Sequence, residues 1–330
     1  MRMSRRLLTT ALIINFVATG LNSVAVAQDW PTRPVTMVIP FAAGSGVDVL
    51  GRILTPQLSE ILHQPVIVEN IAGAGGMVGT SRVARARPDG YQFVLGNVGT
   101  HAQNQALYKA PLYNAATDFA PVVLIAEQPT VLIARRNFPA HNLQGFITYA
   151  RAHQTDMQYG SAGAGSASHL ACVILNAAAG IQVAHVPYRG GAEAMQDLIA
   201  ARIDYQCPFM SIAIPQIASK LVQPIALLSG KRSPALLDLA TAGEQGISGF
   251  EVSAWVGFFF PKGTPSSIVN KLHDATVAAL ETPAIRERFA AIGAEPVASD
   301  RRSPAYFEQF VQAEIHRWDS AIKVANIGLE

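Results

Sequence analysis

Two loops rich in glycine and serine contain the residues best suited to chemistry in this sequence. The first is residues 41–48 and the second is residues 160–169. Each follows a strand-like run and precedes a helix-like one, so its free backbone amides and the positive end of the helix dipole would suit an anion. Neither loop contains lysine or arginine. We therefore expect a bound carboxylate or phosphate to be held by amides and hydroxyls, without a counter-charge.

A third loop, at residues 99–101, combines glycine, a hydroxyl and an imidazole after a predicted strand, and Tyr188 follows another predicted strand. Ligands of α/β sheets bind beyond the carboxyl ends of the strands, where all these loops are expected to lie. Tyr188 is expected to close over the ligand. The candidate ligand-binding residues from these loops are Phe41, Ala43, Gly44, Ser45, Gly46, Asp48, Gly99, Thr100, His101, Ser161, Ala162, Gly165, Ser166, His169 and Tyr188.

Several of these candidates have a structural alternative. Ser161 and Ser166 flank a helix start, where capping competes with ligand binding, and we favour binding. A carboxylate at Asp48 would repel an anionic ligand, so a structural role at the helix start is at least as plausible as ligand contact. For His101 and His169, a hydrogen-bonded structural imidazole is favoured over a ligand contact.

The first 27 residues have the pattern of an export signal. A basic start, an apolar run at residues 7–21 and Ala25-Val26-Ala27 predict cleavage after Ala27. The apolar run contains polar residues and is short for a membrane span, which disfavours an uncleaved anchor. Cleavage removes three arginines and no acid, so the 25 basic and 23 acidic residues of the chain become 22 and 23. This near-neutral balance gives no reason to expect a nucleic-acid partner.

The chain contains two cysteines, Cys172 and Cys207, too few for a disulfide framework. Export permits a single bridge between them, but we favour two buried free thiols and leave the bridge open. No cysteine and histidine cluster has metal-ligand spacing, so no metal site is expected.

Strands and helices alternate along the chain, which predicts an α/β fold with parallel sheets. Pro56 is expected to kink or restart the first helix. Two short apolar runs are separated by Glu127-Gln128-Pro129, which we interpret as a crossing between two domains, with a return crossing at residues 229–232. The two crossings would be hinge strands. The predicted parts are lobe 1, formed by residues 28–126 and 229–330, and lobe 2, formed by residues 127–228.

Seven short motifs occur along the chain in a characteristic order. They are Pro-Phe-Ala-Ala-Gly-Ser-Gly-x-Asp at 40–48, Val-Glu-Asn-x-x-Gly-Ala-Gly-Gly at 68–76, Pro-Asp-Gly-Tyr at 88–91, Gly-Thr-His at 99–101, Tyr-Gly-Ser-Ala-Gly-x-Gly-Ser-x-x-His-Leu at 159–170, His-Val-Pro-Tyr-Arg-Gly at 185–190 and Lys-Arg-Ser-Pro-Ala-Leu at 231–236. Together they resemble the Bug family of periplasmic solute-binding proteins, the receptors of tripartite tricarboxylate transporters. The resemblance extends from Asp29 to the last predicted helix.

The resemblance implies a type II periplasmic-binding-protein fold, in which two lobes close on a small organic acid that is then delivered to a membrane permease. It implies a periplasmic location, and we expect a monomer that needs no cofactor. Relatives often have an acidic residue where this chain has Pro208, which we add to the ligand-binding candidates. The change puts recognition of an amino group in doubt. Because Val47 and Tyr188 add apolar surface, we expect a carboxylic acid with a hydrocarbon or aromatic body.

Enzyme function is disfavoured. The chain has no Gly-x-Ser-x-Gly elbow, no familiar serine, histidine and aspartate spacing, and no paired carboxylates near the glycine loops. A secreted hydrolase acting on a small ester or amide is the leading alternative, and a surface adhesion module is the next. A receptor would bind a small molecule saturably without forming product, whereas an adhesion module would not close on one.

Overall fold

The computed structural model describes residues 30–324, which form two β-sheets with helices packed on them. The predicted signal peptide and its cleavage site lie outside the described residues. The strands are β1 (Val35–Ile39), β2 (Val66–Asn70), β3 (Gln92–Asn97), β4 (Phe119–Pro129), β5 (Val131–Arg135), β6 (Gln158–Ser161), β7 (Ala184–Pro187), β8 (Tyr205–Gln206), β9 (Val222–Leu227), β10 (Ser253–Pro261) and β11 (Glu295–Pro296).

The helices lie mostly between consecutive strands. None of those in residues 30–324 is both long and apolar enough to cross a membrane. They are α1 (Gly46–Leu62), α2 (Met77–Ala84), α3 (Asn104–Leu107), α4 (Leu143–His153), α5 (Ala167–Ala179), α6 (Gly191–Ile199), α7 (Met210–Ala218), α8 (Ser266–Glu281), α9 (Pro283–Ala291) and α10 (Pro304–Val324).

The first sheet has the strand order β11-β4-β10-β3-β1-β2 and the second has the order β7-β6-β8-β5-β9. We call the parts of the chain built around them lobe 1 and lobe 2. The first sheet takes strands from both ends of the chain, whereas the second is formed by the middle. The predicted lobe boundaries remain a prediction at the level of single residues.

The predicted parallel sheets are in fact mixed, with parallel and antiparallel pairs in each. In lobe 1, β1 is parallel to β2 and β3, but β10 is antiparallel to β3 and β4. In lobe 2, β5 is antiparallel to β8 and β9. The reason is the double crossing: β4 leaves lobe 1 at the same edge of the molecule where β10 returns, so the two strands run in opposite directions.

The crossing from lobe 1 to lobe 2 is shorter than predicted. Residues 127–129 belong to β4, and Thr130 alone separates β4 from β5. The Thr130 carbonyl oxygen accepts a hydrogen bond of 2.9 Å from the Leu228 amide, and the Leu228 carbonyl oxygen accepts one of 2.8 Å from the Val252 amide. The outgoing and returning segments therefore lie side by side and are joined by backbone hydrogen bonds.

The helix α1 is continuous through Pro56, so the predicted restart does not occur. On its apolar stripe, Leu50, Leu54 and Leu58 are completely buried. Burial of one apolar face stabilises a helix more than intrinsic propensity does, which compensates for the lost amide. Aromatic residues of α10 such as Phe307 and Trp318 are also buried, in agreement with the packing role that their spacing predicts.

A disulfide joins Cys172 of α5 to Cys207, which directly follows β8. The favoured prediction of two free thiols is therefore wrong. Both residues are fully buried, and their Cα atoms are 5.5 Å apart. Their sequence separation of 35 concealed this proximity, which arises only when α5 packs on the second sheet.

Candidate ligand-binding site

A cavity lies between the loops of the two lobes. Its walls come from the loops that follow β1 and β6, from the ends of β3 and β8, and from the starts of four helices. Within residues 30–324, no charged side chain lines it. The lining residues are Phe41, Ser45, Gly46, Val47, Asn97, Ala162, Ser166, Ala167, Ser168, Gly191, Gln206, Pro208, Phe209 and Ile212.

The N-termini of four helices meet at this cavity. The first residues of α1, α5 and α6, which are Gly46, Ala167 and Gly191, all line it, and so does Phe209, the N-cap residue of α7. The first amides of a helix have no partner within the helix, and the helix dipole adds partial positive charge at that end. The cavity therefore offers hydrogen-bond donors and a positive potential from backbone alone.

The helices α1 and α5 begin with the same capping geometry. The Ser45 hydroxyl oxygen accepts a hydrogen bond of 3.3 Å from the amide of Asp48, and the Ser166 hydroxyl oxygen accepts one of 3.3 Å from the amide of His169. Each serine thus uses the third amide of its helix. The first two amides of each helix remain without an intrahelical partner, and all four residues that carry them line the cavity: Gly46, Val47, Ala167 and Ser168.

A glycine with positive φ precedes each capping serine, and its amide is held by the side chain four residues later. The Asp48 carboxylate accepts from Gly44 at 2.8 Å, and His169 Nδ1 accepts from Gly165 at 3.2 Å. The φ angles of the two glycines are 77° and 78°, a conformation that favours glycine. We call residues 44–48 capped loop 1 and residues 165–169 capped loop 2.

Asp48 is engaged away from the cavity. Besides Gly44, its carboxylate accepts hydrogen bonds of 2.8 Å from Arg52 and 2.8 Å from Asn70. The side chain is buried, and Asp48 does not line the cavity. This arrangement fits the structural role that was one of its two predicted alternatives.

Asn97, the last residue of β3, lines the cavity and was missed by sequence reasoning. Its Oδ1 accepts a hydrogen bond of 3.0 Å from the Thr100 amide, whereas its buried Nδ2 has no partner within residues 30–324. Buried polar atoms are rarely left unpaired, so this donor indicates a place for an acceptor atom of a ligand. A polar residue at the carboxyl end of a strand was the available signal.

The predicted His101 packs in the core of lobe 1. Its ring stacks on Phe259 with centroids 3.7 Å apart, and its Nδ1 is 2.9 Å from the Thr100 hydroxyl. Burial lowers the pKa of His101 to about 3, so the imidazole is neutral near pH 7. Both residues support the loop after β3 and neither lines the cavity.

A second histidine group consists of His169 in capped loop 2, which is buried, and His185, which is partly buried. The rings of His169 and His185 stack with centroids 4.1 Å apart, and His185 Nε2 is 2.7 Å from the Ser161 hydroxyl. Burial lowers the pKa of His169 to about 3, with a smaller effect from neighbouring His185, whose own pKa burial lowers to about 4. The group is therefore neutral at physiological pH and adds no charge beside the cavity.

The structure brings six of the sixteen predicted residues into the cavity lining, and the other ten do not line it. The six are Phe41, Ser45, Gly46, Ala162, Ser166 and Pro208. Those outside the lining are Ala43, Gly44, Asp48, Gly99, Thr100, His101, Ser161, Gly165, His169 and Tyr188, and the last donates its hydroxyl to Asp197 at 2.7 Å. The lining residues that were not among the candidates are Val47, Asn97, Ala167, Ser168, Gly191, Gln206, Phe209 and Ile212.

Comparison with known proteins places this geometry in a family. Residues 50–327 match the family described as tripartite tricarboxylate transporter family receptor. The solved structure of the periplasmic binding protein BugD is 38% identical, with a TM-score of 0.88, over 91% of this chain and 100% of BugD. MatC (Rpa3494) from Rhodopseudomonas palustris with bound malate is 37% identical, with a TM-score of 0.86, over 89% and 100% of the two chains. R. palustris Rpa4515 with adipate is 34% identical, with a TM-score of 0.87, over 91% and 99%.

Proposed function

Because the chain belongs to the family of tripartite tricarboxylate transporter receptors, as its resemblance to the Bug proteins predicted, we propose that it is an extracytoplasmic receptor for a small carboxylic acid. The acid binds in the cavity between the lobes and is delivered to a membrane permease of the tripartite tricarboxylate type. The mature receptor acts in the periplasm as a monomer, after cleavage of its signal peptide behind Ala27.

The convergence of four helix N-termini on a cavity without charged side chains carries this proposal. A carboxylate there would accept hydrogen bonds from the free amides of α1 and α5 and from Asn97. Helix N-termini are established anion-binding elements in proteins. MatC and Rpa4515 bind malate and adipate, which are both carboxylates.

The same lining supports an acid without an amino group. An ammonium group taken out of water needs a carboxylate or several acceptors, and the lining contains no acidic residue. Five lining residues, namely Phe41, Val47, Pro208, Phe209 and Ile212, instead present apolar surface that suits a hydrocarbon body. The carboxylate of capped loop 1, Asp48, already accepts hydrogen bonds from Gly44, Arg52 and Asn70.

A hydrolase is the competing proposal, and the contact between Ser161 and His185 is the observation in its favour. A nucleophilic serine must reach the substrate with its hydroxyl. The Ser161 hydroxyl is buried beneath capped loop 2, where it also bonds the amide and carbonyl of Gly163, and Ser161 does not line the cavity. We therefore favour the receptor.

Calorimetric titration with malate, adipate and succinate, alongside aspartate and glutamate, tests the proposal. We expect saturable binding of at least one unaminated diacid and weaker binding of its aminated counterpart. A preceding thermal-shift screen is sensitive enough, since a ligand at one hundred times its Kd adds about 2.7 kcal/mol to the free energy of unfolding. Tighter binding of the amino acids, or turnover of small esters or amides, would contradict the proposal.

The variant Asn97→Asp probes the site directly, because it keeps the side-chain shape while replacing the free donor with a negative charge. We expect at least a tenfold loss of acid affinity, since a like charge would face the bound carboxylate. The matched control is Asn137→Asp, which makes the same change at an exposed position. Equal affinities in the two variants would place the carboxylate elsewhere.

A further inference from the structure

The two lobes also touch outside the cavity. Residues 163–165, which connect β6 to α5 in lobe 2, lie against lobe 1. The Tyr108 hydroxyl of lobe 1 donates a hydrogen bond of 2.9 Å to the Ala164 carbonyl oxygen. Neither Tyr108 nor residues 163–165 line the cavity. The contact therefore joins the lobes without needing to touch a ligand.

Two glycines allow the backbones to meet there. A Cβ atom on Gly75 of lobe 1 would overlap the Ala164 carbonyl oxygen, and a Cβ atom on Gly165 would lie 2.7 Å from Asn104 Oδ1 and 2.8 Å from the Tyr108 ring. Real Cβ atoms essentially never approach other atoms so closely. A side chain at position 75 would hold the lobes apart, because the atoms it would meet belong to the backbone of residues 164–166.

The partners in this contact are attached to different sheets. Gly75, Asn104 and Tyr108 lie in segments that follow β2 and β3 of lobe 1, whereas residues 163–165 follow β6 of lobe 2. Rotation about the crossing at Thr130 that opens the cleft must separate them and break the hydrogen bond. Partial burial raises the pKa of Tyr108, so its hydroxyl keeps its proton and remains a donor over the physiological range.

We propose that Gly75 and Tyr108, together with residues 163–165, form a latch that stabilises the closed arrangement of the lobes independently of any ligand contact. The consequence for binding rests on the proposed receptor function, because ligand affinity scales with the population of the binding-competent state. Tyr108 is thus a positioning residue: it acts on affinity through closure, and it does not touch the ligand.

The test measures closure in protein without added ligand. Cysteines that replace the exposed Arg87 of lobe 1 and Arg189 of lobe 2 carry spin labels, and pulsed electron resonance gives the distance distribution between them. We expect Tyr108→Phe to lower the ratio of closed to open molecules about fivefold, the equivalent of one hydrogen bond. The control Tyr306→Phe removes a hydroxyl that accepts from Arg301 at 2.9 Å within lobe 1, and it should leave the ratio unchanged.

A merely structural role for Tyr108 predicts a different result. In that case Tyr108→Phe would lower the thermal unfolding midpoint relative to Tyr306→Phe while the distance distribution stayed the same. That outcome, or an equal change in both variants, or a parent protein without a closed population, would overturn the latch.

A glycine pair tests the close backbone approach. Gly75→Ala and Gly249→Ala both place alanine at positive φ, 59° and 68°, but a Cβ atom on Gly249 would meet nothing within 4 Å. We expect Gly75→Ala to lower the closed ratio at least tenfold and Gly249→Ala to leave it unchanged. Equal closure of the two variants would overturn the proposal. Because these distances need no ligand, they are informative even if every acid fails to bind, a result that would count against the receptor function alone.

Discussion

Capped loop 1 and capped loop 2 reach the same backbone geometry with different side chains. In both, a serine caps a helix and the third helical residue accepts a hydrogen bond from the glycine that precedes the serine. That acceptor is the charged Asp48 in lobe 1, with Arg52 and Asn70 as further partners, and the neutral His169 in lobe 2. Neither acceptor lines the cavity, so what the two loops share there is their backbone geometry and the free amides that it presents.

The largest expected difference between the loops comes from the disulfide, which holds α5 and has no counterpart at α1. We expect the double variant Cys172→Ala with Cys207→Ala to lose about 3 kcal/mol of free energy of unfolding, because the unfolded chain is no longer constrained. Urea denaturation measures this loss, and the reduced parent protein is the matched comparison. Unchanged stability in both would show that packing alone holds α5 in place.

The next difference is the charge of the side chain that accepts from the glycine amide, since Asp48 is charged and His169 is neutral. We expect Asp48→Asn to cost about 2 kcal/mol, since a buried carboxylate that accepts from an amide, Arg52 and Asn70 loses its charge-assisted hydrogen bonds. The control is Asp319→Asn, because Asp319 also forms a pair four residues apart, with Lys323, but on an exposed helix surface. That pair should contribute about 0.4 kcal/mol. Equal losses in denaturant unfolding would mean that Asp48 acts as a surface ion pair.

The neutral acceptor makes capped loop 2 sensitive to acid. The pKa of His169 is about 3 in the folded protein against an ordinary value of 6.5, so the unfolded chain takes up the proton first as the pH falls. Stability from this group is complete above pH 6.5 and is lost between pH 6.5 and about 3, with about 2 kcal/mol lost at pH 5.

The predicted fall in stability with falling pH is tested by measuring the unfolding free energies of the parent and of His169→Asn between pH 7 and pH 4. Asparagine places an acceptor oxygen where Nδ1 lies but does not titrate. The variant should therefore lose less stability in acid than the parent, by the contribution of His169. The stability that the variant still loses in acid would come from His185 and His101, whose pKa values burial also lowers. Parallel pH curves for parent and variant would contradict the assignment to His169.

The smallest expected effect is the loss of the serine N-cap, which the two loops have in common. Ser45→Ala and Ser166→Ala should each cost about 1 kcal/mol, the usual contribution of an N-cap side chain. Because the two serine hydroxyls accept at the same distance, 3.3 Å, the two losses should agree. A clearly larger loss at Ser166, whose hydroxyl also lies 3.2 Å from that of Ser168, would show that the serine pair of lobe 2 adds stability beyond capping.

Local patterns in the sequence predicted much of this molecule. A helix was expected to start beside Ser166, and α5 does begin at Ala167 with Ser166 as its N-cap. The alternation of strands and helices indicated the α/β fold, and the order of short motifs indicated the family. The lack of lysine and arginine in the glycine loops agrees with a cavity lining that, within residues 30–324, contains no charged side chain, and capture by backbone amides stays a prediction.

Other features were decided by contacts between residues far apart in sequence. The partner of Cys172, the direction of β5 and β10, and the unpaired Nδ2 of Asn97 depend on which elements pack together. The N-termini of α6 and α7 joined the site for the same reason, although neither has a side-chain cap that marks it in the sequence. Capping, turns and periodicity act over a few residues and can be read along the chain, whereas a cavity exists only once two lobes face each other.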